Sequence, residues 1–176
     1  MIMGLDISTS ITGIAVLDNT GEVVICDAWD LRKYKGFFLK VEKTKNLLKT
    51  IEETQNIEKI FIEESLQSFR TGFSSAQTLS TLARFNGTLS WLCYEMFSIE
   101  PEFVGATTAR KLCGIKVPRG RKAKEVVLEN ILDIDPSFVI DYTKHGNPKP
   151  GTYDRADSLV IARAGYELCK QESSNS

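Results

Sequence analysis

Residues 3–18, MGLDISTSITGIAVLD, decide how this chain begins to fold. Two apolar runs, 2–8 and 11–17, are rich in residues that favour β-strands, and serine and threonine separate them. The turn signal Asp-Asn-Thr-Gly follows at 18–21, and residues 22–29 form a third run of the same kind. Three short strands in succession predict an antiparallel meander.

Beyond residue 36 the apolar spacing changes to that of an amphipathic helix, and Phe37, Phe38 and Val41 are expected on its buried side. The remaining pattern alternates helices with short strands. The predicted helices are 36–54, 74–97, 106–113, 126–132 and 152–170, the predicted strands are 57–62 and 101–105, and residues 133–151 are predicted to be a loop. This order predicts an α/β domain over residues 1–170, with a mixed five-stranded sheet of three antiparallel and then two parallel strands, and a flexible tail at 171–176.

The composition narrows the class of protein. A chain of 176 residues with 42% hydrophobic and 26% charged residues is expected to form one soluble domain. A net charge of −1 gives no overall attraction for nucleic acid, so such binding must depend on local clusters of charge. Widely spaced cysteines and a single histidine argue against zinc. With no apolar stretch of membrane-spanning length, we expect a cytoplasmic protein without membrane contact.

Four acidic residues stand where apolar residues are expected. Asp6 interrupts the first strand, Glu63 ends the strand IEKIFI, and Asp154 and Asp157 lie three apart on the last helix. Each alone has an ordinary structural explanation, as a turn residue or a helix cap. Together, four like charges near one core edge would repel strongly unless cations neutralise them. Oxygen ligands select Mg²⁺ or Mn²⁺.

The second of these positions has two candidates. Glu64 follows Glu63 directly, so either carboxylate could be the one that joins the cluster. The alternation of the strand makes Glu63 an inward residue if Phe61 points inward. We therefore prefer Glu63 and keep Glu64 as the second choice.

Three motifs resemble the RuvC-like Holliday junction resolvases of the RNase H-like, retroviral-integrase superfamily. They are residues 3–18, FIEES at 61–65 and YDRADSLVIARAGYE at 153–167, and they occur in the family's order. The resemblance implies an RNase H-like fold and two Mg²⁺ or Mn²⁺ ions per active site, without a nucleotide cofactor. It also implies a magnesium-dependent crossover junction endodeoxyribonuclease, a homodimer that resolves four-way junctions by paired symmetric nicks. The catalytic and metal-binding residues it implies are Asp6, Glu63, Asp154 and Asp157.

A basic segment, residues 110–124, suggests where nucleic acid would bind. It contains seven cations and no acidic residue, in a chain that is otherwise nearly neutral. The functional interpretation is a phosphate-binding groove, and the alternative is a solvated surface. Phe69 and Arg70 are further DNA-binding candidates, since resolvases of this type carry an aromatic wedge in a loop near this point. The seven basic residues are Arg110, Lys111, Lys116, Arg119, Arg121, Lys122 and Lys124.

The helix predicted at 74–97 is our candidate for a dimer interface, because it carries, with the residue just before it, more aromatic surface than one small core needs: Phe73, which lies outside the residues described below, Phe85, Trp91, Tyr94 and Phe97. Other functions stay open. An RNase H-like nuclease acting on RNA or on other branched DNA, like the YqgF-type proteins, shares the first motif. An actin-like or sugar-kinase-like ATP-binding domain begins similarly, but that fold requires further glycine-rich loops that this chain lacks.

Overall fold

The computed structural model describes residues 1–64 and 76–174. Ten helices and strands follow one another in these residues, in nearly the order predicted from the sequence. They are β1 (Ile2–Asp6), β2 (Ile11–Leu17), β3 (Val23–Asp30), α1 (Phe37–Thr54), β4 (Lys59–Glu63), α2 (Ala76–Phe97), β5 (Glu102–Val104), α3 (Ala106–Leu112), α4 (Ala123–Ile134) and α5 (Thr152–Ser174).

The strands form one mixed sheet in the order β3-β2-β1-β4-β5. β1 pairs antiparallel with β2, and β2 pairs antiparallel with β3, as the meander predicts. β4 joins β1 in parallel, and β5 joins β4 in parallel. The predicted sheet of three antiparallel and two parallel strands is therefore confirmed. In this topology β1, β3, β4 and β5 all end at the same edge of the sheet.

Helices cover both faces of the sheet. On one face α3, α4 and α5 pack on side chains such as Ala15, Leu17 and Phe61. On the other face α1 and α2 pack on Met3 and Leu5, among others. Because neighbouring residues of a strand point to opposite faces, each central strand supplies both cores and must be apolar throughout.

Glycine allows α5 to lie directly on the central strands. A Cβ at Gly4 would stand 2.4 Å from the backbone nitrogen of Ala162, and a Cβ at Gly165 would stand 2.1 Å from the ring of Phe61. Both distances are far below van der Waals contact, so no larger residue fits at either position. These contacts determine the position of α5 relative to β1.

Some boundaries differ from the predicted ones. α4 begins at Ala123 rather than at residue 126, because its first three residues, Ala-Lys-Glu, carry little apolar signal. α5 continues to Ser174, four residues into the segment predicted as a tail, and the flexibility of that segment stays a prediction. No helix in the described part of the chain has both the length and the apolar character needed to cross a membrane.

Two predictions about aromatic residues are wrong. Phe38 was expected on the buried side of α1, but 78% of its surface is exposed. Phe85 was assigned to a dimer interface, but it is fully buried in the core between α2 and the sheet. Trp91 and Tyr94, on the same helix, are exposed as the dimer hypothesis requires. Phe38 is rotated by about 100° from Phe37, which packs with Val41 on the core, so Phe38 lies outside the buried face of α1.

Candidate active site

Two of the four acidic residues lie side by side at the edge where the parallel strands end. Asp6 is the last residue of β1, and Glu63 is the last residue of β4. The two strands are neighbours, and their register pairs Leu5 with Ile62, the residues just before. Both carboxylates are half-buried, because each follows a run of buried apolar residues.

α5 brings the other two acidic residues to the same place. Asp154 lies in its first turn and Asp157 one turn further, both half-buried. The start of this helix is held by Gly13, which pairs with Asp6 across the β1–β2 ladder. A Cβ at Gly13 would stand 1.9 Å from the carbonyl oxygen of Asp154, so the helix backbone rests directly on the strand beside Asp6.

The electrostatics show that the four carboxylates act on one another. Burial raises the pKa of Asp6 well above its ordinary value, and the charges of Glu63, Asp157 and Asp154 raise it further. Burial, followed by the charges of Glu63 and Asp154, raises the pKa of Asp157 to about 7. Burial also raises the pKa of Glu63 and that of Asp154. Without a cation, this site therefore favours protonated carboxyl groups.

The donor set suits hard divalent cations. It consists of carboxylate oxygens from Asp6, Glu63, Asp154 and Asp157, the ligand type that Mg²⁺ and Mn²⁺ prefer. Among the described residues, no three acidic, histidine or cysteine side chains are already gathered closely enough to hold an ion. Binding of an ion would therefore require the carboxylates to draw closer together.

Glu63 and Glu64 differ in burial and in their neighbours. The backbone N–H of Glu64 donates to the carbonyl oxygen of Val104, which fixes its place in the ladder with β5. The side chain of Glu64 is exposed, and its Oε2 atom lies 3.7 Å from the point where a Cβ on Gly105 would stand. Glu63, in contrast, is half-buried, and its charge raises the pKa of Asp6. The carboxylate that faces the cluster is that of Glu63.

The fold of this chain has counterparts among solved structures. Thermus thermophilus RuvC in complex with a Holliday junction substrate matches with a TM-score of 0.66 and 14% identity, over 97% of this chain and 94% of that one. This chain has a RuvC-like fold. A second Thermus thermophilus RuvC structure matches with a TM-score of 0.64 and 16% identity, over 97% and 96% of the two chains.

A third match extends the RuvC-like fold to a eukaryotic protein. The yeast mitochondrial Holliday junction resolvase matches with a TM-score of 0.64 and 15% identity, over 98% of this chain and 80% of that one. The resemblance inferred from three sequence motifs is thus confirmed for the fold. No family model and no curated protein sequence matches the chain.

The first and last cations of the basic segment, Arg110 and Lys124, act electrostatically on the carboxylates. The charge of Arg110 lowers the pKa of Glu63 against the effect of burial, and Lys124 acts likewise on Asp154. A cleft of about 340 Å³ lies beside Arg110 and is also lined by Lys111 and Lys116. This end of the segment therefore combines exposed cations with a concave surface.

Other predicted DNA-binding residues are differently placed. Arg121 forms an ion pair with Glu129 at 2.5 Å, and Lys122 forms one with Glu125 at 3.1 Å. Arg119 is exposed on the turn before α4. Because they are paired, Arg121 and Lys122 are less available to phosphates than the number of basic residues in the segment suggests. The candidates Phe69 and Arg70 lie outside the described residues.

Three residues near the site had not been identified from the sequence. Asn86 is buried on α2, and its Nδ2 atom donates to the carbonyl oxygen of Glu63 at 3.3 Å. Arg32, just after β3, lowers the pKa of Asp154 by its charge. Lys40 donates from Nζ to the carbonyl oxygen of Thr9, in the loop that follows Asp6. Only Asn86 leaves a signal in the sequence, as a polar residue on the apolar side of its helix.

Proposed function

We propose that this protein is a divalent-metal-dependent endonuclease that resolves four-way DNA junctions. The observation that carries the proposal is the meeting of Asp6, Glu63, Asp154 and Asp157 at one sheet edge of a RuvC-like fold. A structural core without such a role would gain stability from apolar residues at these positions. One of the similar structures is described as RuvC bound to a Holliday junction substrate, which supports branched DNA as the substrate.

The carboxylates hold the ions in this proposal and are not themselves nucleophiles. Asp6 would be the most central ligand, because it ends a central strand and the charges of the other three residues raise its pKa. Mg²⁺ or Mn²⁺ held by these carboxylates would supply a nucleophilic water and stabilise charge on the leaving 3′-oxygen during phosphodiester hydrolysis. Asp154 and Asp157 approach from the helix side, and Glu63 from the neighbouring strand.

Neighbouring side chains orient the carboxylates and place positive charge beside them. Asn86 holds the backbone of Glu63 through its hydrogen bond to the carbonyl oxygen, so the carboxylate leaves β4 in a defined direction. Arg110 and Lys124 place positive charge beside the acidic cluster, where it would attract the phosphate next to the scissile bond. Acidic residues for the ions and basic residues for the phosphate are thus neighbours at one edge of the sheet.

A homodimer is part of the proposal, because symmetric nicks in a four-way junction require two active sites. Trp91 and Tyr94 stand three residues apart on α2, with 57% and 55% of their surfaces exposed. Exposed aromatic residues on one helix face are typical of protein interfaces.

If α2 forms the interface, Trp91→Glu should convert a dimer into a monomer in analytical ultracentrifugation, whereas an unchanged mass would place the interface elsewhere.

The substrate class can be tested in one gel. The wild-type protein is incubated in Mg²⁺ with labelled four-way junction, flap, linear duplex, single-stranded DNA and an RNA stem-loop. We expect paired nicks in the junction and little cutting of the duplex. Preferential cutting of RNA would favour a YqgF-like function, and ATP hydrolysis without nuclease activity would favour the kinase-like alternative. The absence of any cutting in Mg²⁺ or Mn²⁺ would contradict the nuclease proposal.

A further inference from the structure

Residues 31–40, which comprise the connection between β3 and α1 and the first turn of α1, form a second basic surface that the proposed function does not use. We call it the β3–α1 segment. Its sequence, LRKYKGFFLK, contains no acidic residue. Its cations are Arg32, Lys33, Lys35 and Lys40, and its aromatic residues are Tyr34, Phe37 and Phe38.

Hydrogen bonds hold this segment at the edge that carries the carboxylates. Leu31 donates from its backbone N–H to the carbonyl oxygen of Ser10 at 2.8 Å. Lys40 donates from Nζ to the carbonyl oxygen of Thr9. Both acceptors belong to the loop directly after Asp6. The β3–α1 segment is thus anchored at both ends next to the acidic cluster.

The segment lies on the flank opposite the basic residues already described. β3 and β5 are the two outer strands of the sheet, and α3 with Arg110 follows β5. Four strand spacings separate the flanks, or about 19 Å. With one phosphate every ~3.4 Å along a strand, a bound DNA strand would cross from flank to flank over about five or six nucleotides. The carboxylates lie between the two flanks.

Two of the cations are available for phosphates. Among the described residues, no carboxylate lies within ion-pairing distance of Lys33 or Lys35. The ammonium group of Lys33 lies 5.4 Å from the centroid of the Tyr34 ring, and Lys35 donates to the carbonyl oxygen of Arg32 at 3.4 Å. Neither contact neutralises the positive charge, and both side chains are exposed.

Phe38 adds a flat apolar surface to these charges. Its ring is 78% exposed and meets the ring of Phe37 edge-on, with 5.4 Å between the centroids. Phe37 is itself held by Phe85 on one side and by the guanidinium of Arg84 at 5.1 Å. A single exposed apolar residue carries no meaning alone. Here the exposed ring packs edge-on against Phe37 and belongs to the same short segment as the exposed Lys33 and Lys35.

We propose that the β3–α1 segment is a second nucleic-acid contact, in which Lys33 and Lys35 bind phosphates and Phe38 stacks on a base exposed at a branch point. Stacking on an aromatic ring requires a free base face, which branched or single-stranded DNA offers and continuous duplex does not. This inference rests on the proposed function and extends it, since it assigns part of the preference for branched DNA to Phe38.

The test measures equilibrium binding of a labelled four-way junction and of a linear duplex, with Ca²⁺ in place of Mg²⁺. Phe38→Ala should weaken junction binding by about tenfold and leave duplex binding unchanged. Ile134→Ala is the control, because Ile134 is 45% exposed beside the β2–β3 turn, at the opposite edge of the sheet. Equal effects of the two variants would overturn the role of Phe38.

The lysines are tested by the salt dependence of binding. The double variant Lys33→Ala/Lys35→Ala should weaken binding to both DNAs and reduce the slope of log K against log salt by about 1.8. Lys45→Ala/Lys49→Ala removes the same net charge from exposed positions of α1, about 15 Å further along the helix. An equal change of slope in both double variants would overturn the phosphate contacts.

Two further measurements distinguish a failure of this inference from a failure of the proposed function. Light scattering on Phe38→Ala should give the same molecular mass as the wild type. A changed mass would mean that the ring packs against a second copy of the chain, and the inference would then be wrong. Junction cleavage by the wild-type protein in Mg²⁺ is measured in parallel. If the protein cuts junctions but the variants behave like their controls, only this inference fails. If the protein neither binds nor cuts DNA, the proposed function fails with it.

Discussion

Gly13 and Asp154 touch across the interface between the sheet and the last helix, with room for nothing larger than the hydrogen of glycine. A Cβ at Gly13 would stand 1.9 Å from the carbonyl oxygen of Asp154 and 3.1 Å from the Cβ of Ser158. Because Gly13 pairs with Asp6, this contact sets how closely the helix carboxylates approach the strand carboxylate. The proposed metal site depends on that approach.

We expect Gly13→Ala to push α5 away from the sheet. The substitution should lower the free energy of unfolding by about 1–3 kcal/mol or more, since the clash is with backbone. Gly87→Ala is the control, because Gly87 lies on α2 with nothing within 4 Å of an added Cβ, and alanine favours helix by up to about 1 kcal/mol. Urea denaturation measures both. Equal stability of the two variants would mean that the contact does not constrain the helix.

The raised pKa of Asp157 predicts how metal-free protein responds to pH. Its ordinary value is 3.8, and the folded protein raises it to about 7. Between these values the folded state holds a proton that the unfolded chain has lost, so stability should fall as pH rises from about 4 to about 7. Asp157→Asn should reduce this fall and stabilise the metal-free protein at neutral pH.

The control for this prediction is Asp133→Asn, at an exposed position of α4. It should keep the wild-type dependence of the unfolding free energy on pH, measured by urea denaturation in the presence of a chelator. A wild-type profile in Asp157→Asn would show that this carboxyl group does not carry the extra proton.

Metal binding should stabilise the protein through the same carboxylates. Mg²⁺ is expected to raise the melting temperature of the wild type, because an ion that binds only the folded state stabilises it. Asp6→Asn and Glu63→Gln should lose this increase, whereas Glu64→Gln should keep it. The comparison of the two glutamates is made by thermal denaturation with and without Mg²⁺. A loss in Glu64→Gln and not in Glu63→Gln would reverse the assignment.

The exposed cations near Arg110 should contribute to binding of all DNA shapes. Replacing Lys111, Lys116 and Arg119 with alanine is expected to weaken binding to junction and duplex alike and to reduce the salt slope by about 0.9 for each lost phosphate contact. Replacing Arg121 and Lys122 should have a smaller effect, because both already pair with glutamates. An unchanged salt dependence of binding in the first variant would mean that this segment is solvated surface without phosphate contacts.

The sequence predicted the sheet and the four acidic positions because both leave local signals. A carboxylate such as Asp6 inside an apolar strand is conspicuous, and so is a pair three apart on the inward face of a helix. Asn86 shows only as a polar residue on the apolar side of its helix, which does not reveal its partner, and Lys40 leaves no signal, since each acts on a residue far away in the chain. Phe38 was misplaced because two apolar residues in succession cannot share one face of a helix, and Phe37 is the one in register with the buried Thr44, Leu48 and Ile51.

The most direct test of the proposed active site measures DNA cleavage and DNA binding separately. Asp157→Asn keeps the size of the side chain but removes a charge that a divalent ion needs. Cleavage of a four-way junction in Mg²⁺ should fall by about 100-fold or more. Binding of the same junction in Ca²⁺ should persist, since phosphate contacts supply it. Asp133→Asn should cut like the wild type. Junction cleavage by Asp157→Asn at the wild-type rate would contradict the four-carboxylate site.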